Sequence, residues 1–322
     1  MKYTSILAGA FGLMALAACT NNDEVTMEQP EVAKAPTLTV TWGGGADTRL
    51  IMDEWDFTEG IPSRWESGDQ IGLSENGDAD VIIYETNDTG ATATFSLVGD
   101  AGPENGTEYI IAYPAVYFTK GFVVENQSGA FGDLKNYAYS LGHTKFTDNV
   151  ADNKVTLEPM FSFLCIPQGT VFEGAANAGS WTASEVEATY LELSGENLLI
   201  RLTPASGTIK KNPTTRAAVV VDGPTLEKGD ITIDCAGVFD FNDEGEIFNT
   251  SDIFIAVPVE KGGEIEPTNL ILTLQTSDPE GPHAYFNIGK VTDGSFTYST
   301  VNESGKLYNL KDYLVYSGGG RM

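Results

Sequence analysis

The sequence predicts an all-β fold, and three observations point to it. Short runs rich in Ile, Val, Thr, Tyr and Phe recur along the chain, among them DVIIYE, ATATFSLV, KVTLEPMFSFLCI, DIFIAVPVE and NLILTLQT. Turn signals such as NGD, NDTG, DEG and GG bound these runs, in a chain with 35 glycines. No segment keeps apolar residues at i, i+3, i+4 and i+7 for more than about two turns, so helices are expected to be few and short. Short antiparallel strands with frequent turns suit β-sandwiches.

The elements follow in chain order. Lys2 precedes an uncharged apolar stretch from Ile6 to Ala18 that stops at Cys19. It is too short to cross a bilayer as a mature helix and suits the core of a secretory signal. Leu16, Ala17, Ala18 and Cys19 resemble the lipobox of bacterial lipoproteins, in which cleavage leaves the cysteine as the lipid-bearing N-terminus, palmitate included. Residues 1–18 are therefore read as signal peptide and 19–36 as a lipidated, polar, flexible tether. Asp23 and Glu24 resemble the acidic export tag of surface lipoproteins in Bacteroidetes and read equally well as ordinary linker acids.

After the tether, TLTVTW alternates: Leu38, Val40 and Trp42 share one face, and Thr37, Thr39 and Thr41 the other. That pattern predicts a half-buried strand. Burial of each of the three apolar side chains is worth roughly 1.5 to 3 kcal/mol. The loop GGGADTR comes next and carries Arg49, one of five arginines in 322 residues. Three glycines make such a loop adaptable and easy for a protease to cut. Among the other arginines, Arg64 sits in a tryptophan-containing block, Arg201 in a strand and Arg321 near the end, while Arg216 in NPTTRA is a rival cleavage point.

The length beyond the tether favours two domains. Small residues replace strand formers in PQGTVFEGAANAGSW, residues 167–181, which places the boundary near Ala175. The expected domains span 37–174 and 175–322. Near the C-terminus LYNLKDYLVY puts Tyr308, Leu310, Leu314 and Tyr316 on one face, with Asp312 as a polar interruption. This segment, 307–316, reads either as a strand for donation to a neighbour or as the last core strand of its own domain. The tail SGGGRM has no strand character and is expected to be mobile.

Charge and chemistry exclude several functions. With 46 acidic and 18 basic residues the net charge is −28, which repels nucleic acid and anionic lipid. His143 and His283 belong to no metal spacing, and no GxSxG elbow is present. ESGKL fails as a phosphate loop at Leu307 and Thr300, and GGGADT fails as a dinucleotide motif at Thr48. DFNDEG places Asp240, Asn242, Glu244 and Gly245 as in a calcium loop, but Ser251 stands where the bidentate glutamate belongs, so a hairpin of solvated acids is the reading. No catalytic residue, metal or cofactor is expected. Cys165 and Cys235 read as two separately buried thiols, although the compartment would permit a disulfide. Trp42, Trp55, Trp65 and Trp181 are core anchors or, in an alternative reading, the sugar platforms of a glycan-binding surface lipoprotein.

Several segments together resemble the fimbrillins, the type V pilin subunits and fimbrillin-like lipoproteins of Bacteroidetes. RWESGDQIGLS is similar to the family's W-x-x-GD-x-IG block through Trp65, Gly68, Asp69, Ile71 and Gly72; YIIAYPAVYF, VTLEPMFSFLCI, IFIAVPV with LTLQT, and GKLYNL follow in the family's order. Pro159 and Cys165 depart from the usual strand at the end of the first domain. The resemblance implies two transthyretin-like β-sandwich domains in tandem and no enzymatic activity. It implies export to the outer membrane as a surface lipoprotein anchored through Cys19. An arginine-specific protease would then cut between Arg49 and Leu50, the strand with Leu38, Val40 and Trp42 would leave, and a strand from another pilin subunit would fill the groove. The product would be a cell-surface fimbria serving adhesion.

Overall fold

The computed structural model describes residues 36–43, 64–75, 77, 79–196, 198–203, 208–211, 218–221, 225–258, 270–298 and 305–321. The β-branched and aromatic runs become strands, and the two α-helices among the described residues are short, as their lack of helical periodicity requires. Along the first part of the chain lie β1 (Leu38–Trp42), β2 (Gln70–Ser74), β3 (Ile82–Thr86), β4 (Thr92–Leu97), β5 (Glu108–Tyr113), helix α1 (Tyr117–Lys120), β6 (Phe122–Val123), β7 (Asn126–Gln127), β8 (Ser140–Lys145) and β9 (Lys154–Pro159). Seven of these strands form a closed barrel in the order β1-β4-β3-β2-β5-β8-β9. A sandwich of antiparallel strands was the expectation here. The sheet instead closes on itself because β1 pairs antiparallel with β4 on one side and parallel with β9 on the other.

Alternation along the strands fills this barrel. Leu38, Val40, Ile71, Leu73, Tyr84, Ala93, Phe95, Tyr109, Ile111, Val155 and Leu157 point inward and join Trp65 and Phe146 in one buried cluster. On β5 the residues between them, Ile110 and Ala112, point outward and belong to a second, larger core. One strand therefore serves two cores through its two faces.

The tryptophan block shows why its residue types are needed. Trp65 is fully buried. Gly68 has φ of 94°, a left-handed turn that glycine adopts without strain. Asp69 accepts from the Glu66 amide at 2.8 Å and closes that turn. At Gly72 a Cβ would run into Val81, Phe118 and the Ala115 carbonyl, so helix α1 can lie against β2 only over a glycine.

The remaining elements are β10 (Phe161–Ile166), helix α2 (Ala183–Glu187), β11 (Tyr190–Ser194), β12 (Leu199–Thr203), β13 (Thr208–Lys211), β14 (Ala218–Val221), β15 (Thr225–Lys228), β16 (Ile231–Ile233), β17 (Phe239–Phe241), β18 (Ile247–Asn249), β19 (Ile253–Pro258), β20 (Ile271–Gln275), β21 (Pro282–Thr292), β22 (Ser295–Tyr298), β23 (Leu307–Asn309) and β24 (Leu314–Arg321). A three-stranded sheet has the order β19-β10-β23, and a larger sheet runs β22-β21-β20-β11-β16-β7 with β24 also on β21. Both sheets feed the larger core through residues such as Leu164, Ile255, Leu191, Leu272 and Phe286.

The expected boundary near Ala175 falls inside this larger core. Ala175 is fully buried there, together with Tyr117, Phe118, Phe122 and Leu134 from well before it. Hydrogen bonding crosses the same point, since β6 pairs with β12, β7 with β16, and β10 with both β19 and β23. Small residues at 167–181 mark a compact connection packed on the core; Phe172, Ala175 and Ala178 are buried.

Candidate functional site

The site of interest is β1 and the slot that holds it. Leu38 and Val40 are completely buried inside the barrel, and Trp42 is half-buried against the same cluster. On β4, Leu38 lies opposite Phe95 and Val40 opposite Ala93; on β9, Val40 lies beside Val155 and Trp42 beside Leu157. The threonines take the outer face, where Thr41 and Thr92 share a hydroxyl hydrogen bond of 3.0 Å. At the entry end the Thr39 amide donates to the Asn153 carbonyl at 2.9 Å, and the Tyr84 hydroxyl donates to the Pro36 carbonyl at 3.1 Å.

An aromatic stack marks the exit end. The Trp42 ring lies on Trp65 at 4.5 Å between centroids and 22° between planes, and Tyr113 meets both edge-on at 5.3 and 5.2 Å. The Trp65 indole donates to the Val40 carbonyl at 3.2 Å. The Trp42 indole nitrogen is buried without a hydrogen-bond partner. Any apolar or aromatic side chain could therefore occupy that place without losing a hydrogen bond. Behind the stack, the Tyr113 hydroxyl donates to Asp69 at 3.0 Å. Burial raises the Asp69 pKa above its ordinary value, with the hydrogen bonds from Glu66 and Tyr113 acting against it, and burial also pushes the Tyr113 phenol up.

Energetics follow from this geometry. Leu38 and Val40 together bury apolar surface worth about 3 to 6 kcal/mol, and Trp42 adds to it. Without β1, β4 and β9 become two sheet edges flanking an open apolar slot, a template for another strand. β1 joins the sheet on both sides yet is a single five-residue strand.

Cys19, Arg49 and Leu50, like Trp55 and Arg216, lie outside the described residues. Two of the described arginines are engaged. Arg201 meets Glu125 at 2.7 Å and Glu227 at 3.0 Å, and Arg321 meets Glu185 at 2.8 Å while also donating to the Ser180 carbonyl. Arg64 is exposed beside the tryptophan block.

The C-terminal segment 307–316 is divided between two sheets. Tyr308 lies on β23, parallel to β10, and Leu310 is buried just beyond it. Leu314 and Tyr316 lie on β24, which pairs antiparallel with β21. Leu310 and the half-buried Leu314 pack on the larger core of the chain itself, whereas Tyr316 is 37% exposed. The tail expected to be mobile continues β24 as far as Arg321. Strand propensity missed this because an edge strand needs little more than its backbone to pair. At Gly319 the absence of a side chain is what admits Ala178 and the His283 carbonyl.

The other candidates resolve as follows. Cys165 and Cys235 are free, buried thiols, and burial raises both, Cys235 to about 12. In DFNDEG the side-chain oxygen Oδ1 of Asn242 accepts from the Glu244 and Glu246 amides, which builds a turn, and no metal-holding cluster occurs among the described residues. Trp42 and Trp65 belong to the barrel, and Trp181 packs on the larger core with its indole donating to the Ala175 carbonyl at 3.0 Å. No helix among the described residues is long and apolar enough to cross a membrane. Sequence reasoning did not single out Tyr84 and Tyr113 as supports of the slot; the signal was their place in the alternation of β3 and β5.

Neither a family model nor a curated protein matches the chain. Similar solved structures include a proposed cell adhesion protein of Bacteroides ovatus, 14% identical, covering 84% of this chain and 98% of that one with a TM-score of 0.37. A second proposed cell adhesion protein, from Bacteroides thetaiotaomicron, is 12% identical over 86% of this chain and 92% of its own, with a TM-score of 0.31. The fimbrial anchor protein Mfa2 of Porphyromonas gingivalis is 10% identical over 74% and 76%, with a TM-score of 0.27. Superpositions this loose establish neither fold nor role for this chain.

Proposed function

We propose that the chain is a structural or accessory subunit of a cell-surface fimbria, assembled by strand exchange after cleavage at Arg49. The observation that carries the proposal is the position of β1: one short strand closes the barrel between β4 and β9 and buries Leu38 and Val40 completely. The chain is not an enzyme in this reading. A separate arginine-specific protease cuts the loop, and another subunit supplies the replacement strand. Until then the chain is held at the outer membrane through lipid on Cys19, and after maturation it resides in the fimbrium and serves adhesion. The fimbrillin-like blocks of the sequence support this reading. The donor comes from another subunit, since Tyr308, Leu310, Leu314 and Tyr316 are engaged within this chain.

N-terminal sequencing of the surface-exposed protein, with Arg49→Ala alongside, tests the proposal. The expected result is a wild-type chain starting at Leu50 in polymers, and an Arg49→Ala chain that stays whole and monomeric. Polymers persisting in Arg49→Ala, or a wild-type surface form that still begins at Cys19, would overturn it.

A further inference from the structure

Far along the chain from the slot, the larger sheet carries a face of mixed chemistry that is half-buried except at Tyr285, which is exposed, and Thr273, which is buried. Leu272, Leu274, Ala284, Phe286 and Ile288 turn into the core, so alternation sends Gln275, His283, Tyr285 and Asn287 to the opposite side. Strand register aligns Tyr190, Gln275 and His283 in one row across β11, β20 and β21, with Glu192, the buried Thr273 and Tyr285 in the next row. Tyr285 is 40% exposed, and the His283 ring lies 5.1 Å from it at 55°. On the far side β24 sets Gly318 and Gly320 opposite these two rings. A Cβ at Gly318 would meet nothing within 4 Å, so that flank of Tyr285 faces open space over bare backbone. On the near side burial, and after it the nearby Asp230, raise the Glu192 pKa, while a hydrogen bond from Gln275 to the Glu192 carboxylate acts against them.

We propose that this face binds a neutral carbohydrate chain. Sugar rings present an apolar C–H face that lies flat on an aromatic ring, and hydroxyls around the rim that need planar carboxylate and amide partners. Tyr190, His283 and Tyr285 offer the rings; Glu192, Gln275 and Asn287 offer the planar polar groups. The charge selects against anionic sugars: Glu192 beside Asp230, in a chain of net charge −28, repels sulfated and uronic acid polymers. Tyr190 and His283 stand two strand spacings apart, about 10 Å. That span exceeds one sugar ring, so the occupant is an oligosaccharide lying across the sheet. The site uses none of the four tryptophans and is independent of strand exchange.

The test is native electrophoresis of the purified protein in gels containing mannan, dextran, xylan or galactan, with heparin as the anionic control. The expected result is retardation by at least one neutral polymer and not by heparin. Tyr285→Ala weakens that binding at least about tenfold, with an unchanged melting temperature. Should Tyr285→Ala lower the melting temperature, Glu192→Gln decides, since it keeps the side chain's shape while altering its hydrogen bonding. Migration unaffected by every neutral polymer, retardation by heparin alone, or binding that survives the deciding variant would overturn the proposal.

Discussion

The first and last strands of the described chain make an instructive pair. β1 is hydrogen-bonded on both sides, to β4 and β9, and sends two side chains entirely into a core. β24 pairs with β21 along one side, ends in glycines and an arginine, and holds its last residue by an exposed ion pair with Glu185. Loss of β1 opens a closed barrel and exposes its interior. Loss of β24 would uncover one more edge of a sheet whose fully buried residues come from other strands, with Leu314 of β24 only half-buried against them and Tyr316 exposed. Strands at the two ends of the described chain thus differ in what depends on them, and of the two only the first closes a barrel.

Three experiments can break or sharpen this contrast. The largest effect is expected from placing a charge in each strand. Val40→Asp buries an unpaired carboxylate in the barrel and should lower unfolding stability by more than about 4 kcal/mol. Tyr316→Asp, on β24, should change it by about 1 kcal/mol or less. Chemical denaturation measures both, and comparable losses would erase the distinction. A smaller effect belongs to Trp42→Ala, which removes the stack on Trp65 and part of the plug's apolar area, for a loss of about 2 kcal/mol by the same method. The smallest effect is a pH dependence at the exit end. Because the folded-state pKa of Asp69 lies above its ordinary 3.8, the folded chain holds the extra proton in the interval between the two. Stability from this group is complete below 3.8 and is lost as pH rises through the raised value. Urea midpoints should show the wild type losing ground to Asp69→Asn as pH rises through that interval; a gap that stays constant with pH would contradict it.

Much of β1 was legible in the sequence, because a period of two with apolar residues at Leu38, Val40 and Trp42 admits one buried face. The tryptophan block was picked out by its resemblance to the fimbrillin block, and its glycines answer to a left-handed turn at Gly68 and a close approach at Gly72. Closure of the barrel was not legible. It depends on a parallel pairing of β1 with β9, more than a hundred residues apart, and pairing partners leave no local trace. The small residues near Ala175 were ambiguous for a related reason: they permit a loop and a tightly packed connection alike, and here Ala175 and Ala178 are buried. The glycines of the tail were read as slack, when Gly319 in fact fits β24 against Ala178.

The central claim is that β1 is a removable plug. Cutting the purified protein with an arginine-specific protease and weighing it by native mass spectrometry, with Trp65 fluorescence followed in parallel, tests this most directly. The account predicts that the fragment ending at Arg49 departs, that Trp65 changes its emission as the slot opens, and that the remaining chain captures an added β1 peptide or another subunit. A cleaved fragment that stays bound, with Trp65 emission unchanged and the protein still monomeric, would contradict it.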